Sequence, residues 1–472
     1  MRNKEAERLS FDEAQRPFGL GRGPLLRATL LALGPDEHLL LLVLHQIVGD
    51  GRSMRVLIHE LGALYTAFYA GRPSPLPDLP IQYADFAAWQ RSHLSGDFLD
   101  AELTWWRGYL EGLPRALDLP TDRPHRPVRS LRGAVHDFTI ERDTHAALTS
   151  LSRRQGTTPF MTLLAVFAGL LQRTTGQDDL AVGTPIAGRH RPETEPLIGY
   201  LANTLVLRAD LAGGPSLLEL MDRVRRTTLA AHTHQDVPFE RLIEDLAPND
   251  LRRPPLVQAL FVVRPASDPL VLPGFELATS DFPTDTTRFE LTCTLAETEH
   301  GLAGTLKYSR DLFDVPTVQR LIAHFGRFLT GALAEPHRPL VELPILAPAE
   351  SHQLLREWSD SGRARRAIGS VPSNVRVYVL DEKLAPVPLG SWGELCIADD
   401  PQAPTDEGRA DLTAERFMPN AWSGAAGSRL YRTGEIVRYR PDGDLEFRSL
   451  RDWAGLGEDA REWSEILAES RG

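Results

Sequence analysis

The stretch Leu39 to Gly51, LLLLVLHQIVGDG, constrains this chain more than any other. Its apolar run, Leu39 to Leu44, is bounded upstream by the turn signal Gly34-Pro35-Asp36, and Leu30 to Leu33 precedes that turn. The pattern predicts two buried strands of a hairpin. Beyond Gly51, Ser53 is a candidate helix N-cap. Met54, Leu57, Ile58, Leu61, Leu64, Tyr65 and Phe68 then recur at helical spacing up to a stop at Gly71 and Pro73. HQIVGDG is therefore a strand-to-helix turn that sets His45 and Asp50 beside a helix start. Read locally, that is most simply a hydrogen-bonded structural histidine and a turn aspartate, so the turn alone assigns no chemistry.

Further on, Tyr83 to Gly112 carries Tyr83, Phe86, Trp89, Trp105, Trp106 and Tyr109 on helical stretches, as packing anchors. A Pro- and Arg-rich connection, Pro120 to Gly133, precedes a mixed α/β pattern. Strands are predicted at Val135–Ile140, Asp179–Gly183, Thr204–Arg208 and Gly301–Tyr308, and helices at Thr144–Arg154, Pro159–Thr174, Ser216–His232 and Pro316–Leu333. After a Pro-rich exit, the basic stretch Ser359 to Ser370 reads as a linker. Val375–Leu380, Gly393–Ile397 and Leu430–Phe447 then suggest a small sheet-rich unit.

Composition excludes several classes. At 472 residues, a prior of about 150 per domain suggests roughly three units. The formal charge of −12 repels phosphate backbones and argues against nucleic acid as a partner. The two cysteines, Cys293 and Cys396, give neither a disulfide framework nor metal-type spacing, which fits a reducing cytoplasm. No apolar run approaches the roughly 20 residues that span a bilayer, so no membrane association is expected. His232, His234 and Glu240 lack a closing fourth ligand, so no metal is expected.

Seven strings, in order, carry a resemblance: EAQRPFGLGRGPLLRATLLALGPDEHLLLLVLHQIVGDGRSM, IQYADFAAWQR, LPTDRPHRPV, LIGYLANTLVLR, THQDVPFERLIEDL, PLVQALFVV and FELTCTL. Their order and spacing between Glu5 and Trp358 resemble the condensation domains of nonribosomal peptide synthetases. The resemblance implies an α/β fold of two chloramphenicol-acetyltransferase-like lobes in a V. Residues 1–130 would form the N-terminal lobe and 131–346 the C-terminal lobe, followed by a linker over 347–370. It implies a tunnel entered by the phosphopantetheine arms of two partner carrier domains, with no cofactor bound by the chain itself. The implied reaction is amide formation, the amine of an acceptor aminoacyl thioester attacking a donor acyl thioester.

The family signature HHxxxDG aligns with His45, Gln46, Ile47, Val48, Gly49, Asp50 and Gly51, so Gln46 stands at the catalytic histidine position. A histidine can accept or shuttle a proton near neutral pH, whereas an amide only hydrogen-bonds. Where the histidine acts as a general base its loss is worth about 10²–10⁴ in rate, and where it only orients the amine a glutamine retains part of the function, so the expected activity is impaired or absent. By the same alignment His45 and Asp50 are structural members of the loop, Asp50 pairing with an arginine, and Gly51 is a backbone position close to the thioester. Asn203 matches a tunnel motif and reads equally as a strand-end residue satisfying backbone groups. In HQDVPFE, Asp236 can cap a helix and Pro238 can open it. The family's RHExLR-type segment precedes this region, whereas Met1 begins almost inside it, so the first lobe is expected to be incomplete and its strands uncovered, unless a partner chain completes it.

Residues 371–451 resemble a late slice of an adenylation domain, through VRVYVLDEKLAPVPLGSWGELCIA, GRADLTAERFMPN and LYRTGEIVRYRPDGDLEF. The family's ribose-contacting Asp falls at Glu435, a vestigial position here because the phosphate-binding Gly-rich loop is missing. Residues 452–472 match neither family and suggest a short helix. Three functional readings follow: a condensation enzyme with carrier or synthetase-module partners, a non-catalytic remnant or carrier-docking scaffold, and a free-standing coenzyme A-dependent acyltransferase.

Overall fold

The computed structural model describes residues 2–246, 254, 256–265, 272–277, 285–359, 376–398, 417–423 and 428–448. The expected helix at 452–472 and the part 360–370 of the expected linker lie outside the described residues.

The chain opens with helix α1 (Arg2–Gln15) and the hairpin β1 (Leu26–Ala32) and β2 (His38–Leu44), which pair antiparallel with Leu30 opposite Leu40. Arg27 ties the hairpin to α1 through the Glu13 carboxylate and donates to the main-chain oxygens of Glu13 (2.9 Å) and Arg16 (2.8 Å). The hairpin is as expected, but its strands are not buried. These two strands form a sheet of their own, and Leu30 and Leu40 stay 64% and 47% exposed. A two-stranded sheet has two open edges and little to cover its second face, so alternating apolar residues remain in solvent.

Helices α2 (Gly51–Tyr69), α3 (Tyr83–His93) and α4 (Gly96–Tyr109) follow. The N-cap of α2 is Asp50 rather than Ser53, which occupies the third helical position and is buried. Trp106 on α4 is fully buried, its indole N–H donating to the His234 main-chain oxygen at 3.1 Å.

The central unit is a six-stranded sheet. Its strands are β3 (Gly133–Glu141), β4 (Asp179–Ile186), β5 (Asn203–Asp210), β6 (Ala259–Arg264), β7 (Leu291–Thr298) and β8 (Gly301–Ser309), in the order β3-β8-β7-β6-β4-β5. The β4–β6 and β6–β7 pairs are parallel and the rest antiparallel. Helices α5 (Arg142–Arg154), α6 (Pro159–Thr175), α7 (Leu217–Thr233), α8 (Phe239–Leu246) and α9 (Val315–Ala334) complete it. α6 is apolar on every side, as a helix enclosed by other elements must be, and every residue from Met161 to Gln172 is buried. Each strand and helix predicted between Val135 and Leu333 is present, with ends shifted by a few residues.

Residues Pro348–Glu357 continue as short helical turns, and Leu354 and Trp358 are buried. The described start of the expected linker is thus packed into the core. A third sheet, all antiparallel, holds β9 (Arg376–Leu380), β10 (Gly393–Ala398), β11 (Phe417–Pro419), β12 (Arg429–Tyr439) and β13 (Leu445–Phe447). Val377, Val379, Leu395 and Val437 of this sheet share one continuous apolar core with the central unit. No described helix is long and apolar enough to cross a membrane. Cys293 and Cys396 are both free and buried.

Candidate functional site

The turn between β2 and α2 is built from its own polar groups. His45 ends the strand, and its Nδ1 accepts the Ile47 N–H at 3.0 Å, capping a single 3-10 turn over Gln46–Val48. The ring is further held edge-on by Phe18 at 5.7 Å. The backbone then passes through Gly49, where a Cβ would meet a Leu44 methyl carbon at 2.2 Å and push that side chain aside. Gly51 opens α2 with open space around its Cβ direction.

Asp50 is the centre of the polar network. Its Oδ1 accepts the Ser53 N–H at 2.8 Å, with the Ser53 hydroxyl at 2.9 Å, and its Oδ2 accepts Arg189 (2.9 Å) and the N–H groups of Leu201 and Ala202 (both 3.0 Å). The side chains of Arg189 and Asp50 are only 1% and 4% exposed. Burial pushes the Asp50 carboxyl upward. The bonds from Arg189, Ser53 and Leu201 and the Arg189 charge outweigh it and hold the group below its ordinary value. Arg189 also donates to Ser53 Oγ at 3.0 Å and to the Leu197 oxygen at 3.2 Å. A carboxylate this committed has no lone pair free for proton transfer. Asp50 works as a clamp joining the start of α2 to the loop 187–202, as the pairing with an arginine anticipated. That loop bends at Gly188, whose φ of +64° and 1.9 Å Cβ approach to the Leu201 oxygen require glycine.

Gln46 is exposed on the turn and lies beside the Tyr200 side chain, whose hydroxyl it pulls downward in pKa. Burial, followed by the charge of Glu240, raises the Tyr200 hydroxyl above its ordinary value, against the opposing pulls of Arg288 and Gln46, so it stays protonated at neutral pH. Tyr200 also lines a cavity of about 240 Å³ with Asn203, Trp89, His93, Asp236 and Glu240. Asn203 lines this cavity, and its amide donates to the oxygens of Gln235 (3.0 Å) and Val237 (2.7 Å) while accepting the N–H groups of Thr204 (2.8 Å) and Phe239 (2.9 Å), the backbone-satisfying role of a strand-end residue. Asn203 therefore holds the start of α8. Pro238 lies just before that helix, its oxygen accepting the Arg241 and Leu242 N–H groups. Asp236 sits between His190 (3.4 Å) and His93 (3.9 Å).

His234 stacks on Trp105 at 3.8 Å and faces Glu102 at 3.0 Å, away from His232 and Glu240 as ligand partners. Among the described residues no group of three or more His, Cys, Asp or Glu could hold a metal ion. Glu435 lies on β12 of the third sheet, its N–H on the Thr433 hydroxyl at 3.1 Å, and shares no contact with the Asp50 network. The structure thus brings together His45, Gln46, Asp50 and Asn203 and leaves Glu435 apart. Sequence reasoning passed over Arg189 and Tyr200, and read Ser53 as a helix cap and not as part of the Asp50 network. The matching string LIGYLANTLVLR contained Tyr200, but nothing in it pointed across 150 positions to Gln46.

Comparison with known proteins follows the same outline. Residues 1–355 match the Condensation domain family model. One component protein of the linear gramicidin synthase of Brevibacillus parabrevis is 41% identical over 406 residues, covering 84% of this chain and 5% of that protein. Phosphinothricin tripeptide synthetase PhsB of Streptomyces viridochromogenes is 41% identical over 365 residues, 75% of this chain and 30% of that protein. The chain spans less than a third of the length of either relative. The X-domain from teicoplanin biosynthesis superposes with a TM-score of 0.68 at 30% identity, over 73% of this chain and 79% of that one. A four-domain nonribosomal peptide synthetase, holo-AB3403, covers 94% of this chain and 57% of its own with a TM-score of 0.77, which at 17% identity speaks for the fold alone. With three quarters of its length matched by the family model and relatives above 40% identity, the chain belongs to the condensation-domain family of nonribosomal peptide synthetases.

Proposed function

We propose that this chain joins carrier-bound thioesters by amide formation, with Gln46 orienting the attacking amine in place of a proton-accepting histidine. The carrying observation is the exposed Gln46 on the turn that the Asp50–Arg189 clamp fixes, beside Tyr200 of the cavity wall. The Gln46 carbonyl oxygen accepts a hydrogen bond from the amine of the acceptor aminoacyl thioester. That amine attacks the donor thioester carbonyl, the C–N bond forms, the C–S bond breaks, and the donor thiol leaves. With Asp50 locked to Arg189 and Gln46 unable to take a proton, the ammonium proton passes to water or to the departing thiolate. The rate is therefore attenuated relative to a histidine at this position, by about 10²–10⁴ if that histidine acts as base. The donors and acceptors arrive on phosphopantetheine arms of carrier domains, and no cofactor is held by the chain. Gly51, with open space at the helix start, is the backbone position past which a thioester can approach.

The N-terminal and central units correspond on this reading to two chloramphenicol-acetyltransferase-like lobes, 1–130 and 131–346, clamped by Asp50–Arg189. The exposed Leu30 and Leu40 fit a first lobe completed by a further chain. Residues 371–451 correspond to part of an adenylation domain, a reading supported by the 94% coverage of this chain in the four-domain synthetase comparison. A cytoplasmic setting follows from this chemistry, since carrier arms are loaded there.

The test is reconstitution with loaded donor and acceptor carriers. The expected result is slow dipeptidyl product, accelerated by Gln46→His. Absence of product from both proteins, with binding of carriers retained, favours the second reading, a non-catalytic carrier-docking scaffold, which rests on the untitratable side chain at position 46. Product from free acyl-coenzyme A but not from carriers would favour a coenzyme A-dependent acyltransferase.

A further inference from the structure

We infer that Tyr83, at the start of α3, is a positioning residue for the proposed reaction: it fixes the main chain at Gly199 and Tyr200 and so sets the Tyr200 ring in the cavity wall. The inference rests on the condensation reading above and adds a residue to it.

The segment 199–202 is held at every residue, from two sides. On the side of α2, the Ser53 hydroxyl lies 2.7 Å from the Gly199 oxygen and accepts the Gly199 N–H at 3.1 Å, and Asp50 accepts the N–H groups of Leu201 and Ala202 at 3.0 Å each. On the side of α3 stands Tyr83. Its hydroxyl donates to the Tyr200 main-chain oxygen at 2.9 Å, and its ring lies against Gly199, where a Cβ would sit 2.2 Å from Cδ2 and 2.6 Å from Cε2 of the ring. A methyl at position 199 would have to push the ring aside, and with it the hydroxyl that holds Tyr200. Burial, with the charge of Asp50 behind it, raises the Tyr83 hydroxyl above its ordinary value, so it remains a donor at neutral pH.

The base on which Tyr83 stands is itself fixed. The Gln82 N–H donates to Asp85 Oδ2 at 2.8 Å in a capping box that sets where α3 begins. One turn further, Phe86 shares a small apolar core with Leu197 and Leu201, which flank the braced segment. Packing between α3 and the loop is thus supplied by Phe86, whereas Tyr83 stays 37% exposed and spends its one polar group on the residue whose ring lines the cavity. That division of labour marks Tyr83 as a residue acting through Tyr200. Misplacing a positioned group by about 1 Å can cost on the order of 100-fold in rate, so a brace one residue behind the wall is within reach of the chemistry.

The experiment measures dipeptide formation by the full chain from loaded donor and acceptor carriers, for Tyr83→Phe, Tyr200→Phe and the double variant. Beside it, fluorine NMR follows meta-fluorotyrosine placed at position 200. Tyr83→Phe is expected to lower kcat by about three- to tenfold, the worth of one hydrogen bond, with KM and the thermal midpoint unchanged. In the Tyr200→Phe background the same substitution should cost less than about twofold, because its route is gone. The fluorine resonance should move in Tyr83→Phe and in Gly199→Ala. Should Gly199→Ala fail to fold, Gly199→Ala/Tyr83→Ala makes room for the methyl without restoring the bond, and the resonance should move there too. An unchanged kcat in Tyr83→Phe, fully additive losses in the double variant, or a fluorine resonance that stays in place overturns the proposal. A parent chain that makes no dipeptide loses the condensation reading, and the resonance then decides alone: its movement keeps Tyr83 as the residue that sets Tyr200, and its constancy removes it.

Discussion

Asp50 and Arg189 are a buried ion pair of the kind whose loss is felt through the partner left behind. Replacing Arg189 by Met strands a carboxylate that is 4% exposed, and about 3–5 kcal/mol of stability is expected to go with it. Denaturant midpoints of Arg189→Met, Asp50→Asn and the double variant check this, and the double variant should recover part of the loss, because it leaves no unpaired charge. The pH dependence has a definite sign. The Asp50 carboxyl lies below its ordinary value of 3.8 when folded, so its contribution is fully present above that value and is lost as pH falls through the lower folded one. Stability from this pair is therefore flat between about pH 5 and 8, and the acid loss below about pH 4 should shrink in Asp50→Asn. At Tyr200, substitution by Phe removes the hydroxyl beside Gln46, a hydrogen-bonding group worth about 0.5–1.5 kcal/mol. The expected outcome in the carrier assay is a fall in kcat of roughly three- to tenfold at an unchanged thermal midpoint, and no change in kcat would remove Gln46 positioning from the mechanism.

At the scale of elements, Asn203 at the head of β5 fixes where α8 begins, through two donated and two accepted hydrogen bonds. Asn203→Ala leaves those backbone groups unpaired near a cavity and is expected to cost about 1–3 kcal/mol. Hydrogen exchange localises it, since protection should fall first at Phe239 to Leu246 and in the Gln235–Val237 turn. This element shows what a sequence can and cannot convey. The alternation and periodicity behind the hairpin, α2 and the central strands and helices are local, and those elements appear where the pattern put them. The cap of α2 was misplaced from Asp50 to Ser53, because both are good capping residues three positions apart and only the Asp50 side chain turns to the helix N–H groups. What binds the turn into a site is non-local: Arg189 meets Asp50 across 139 positions, and Ser53 meets Gly199 across 146. Such pairs leave no periodic trace. The exposed face of the hairpin was not legible in its pattern, which predicted buried strands, because an apolar run says nothing of what lies over it.

The largest scale concerns how the third sheet relates to the rest. Leu354 and Trp358 are buried just beyond the central unit. Trp358 packs on Tyr439 of β12 at 5.4 Å between ring centroids, and Val377, Val379, Leu395 and Val437 continue the same apolar core. Polar contacts follow the same boundary, with Arg448 on Asp118 at 2.5 Å and Arg173 near Asp381 at 3.8 Å. Burial of the Arg173 guanidinium lowers its proton affinity, opposed by the Asp381 charge, so removing that aspartate leaves a buried cation with less compensation. A core shared across a boundary makes the parts unfold together. The complete chain is thus expected to show one cooperative transition, coincident by far-ultraviolet circular dichroism and tryptophan fluorescence, and not a weak sheet melting ahead of a stable central unit. Trp358→Ala should lower that single midpoint, at a cost of about 3–5 kcal/mol for a buried aromatic. A fragment ending at residue 359 should be less stable than the complete chain, because it exposes the apolar surface that Val377 and Val437 cover. Two separated transitions, or a fragment as stable as the whole, would show that the third sheet is a passenger. A single transition would mean that the sheet supports the same core on which β4, β5 and the Asp50 clamp rest.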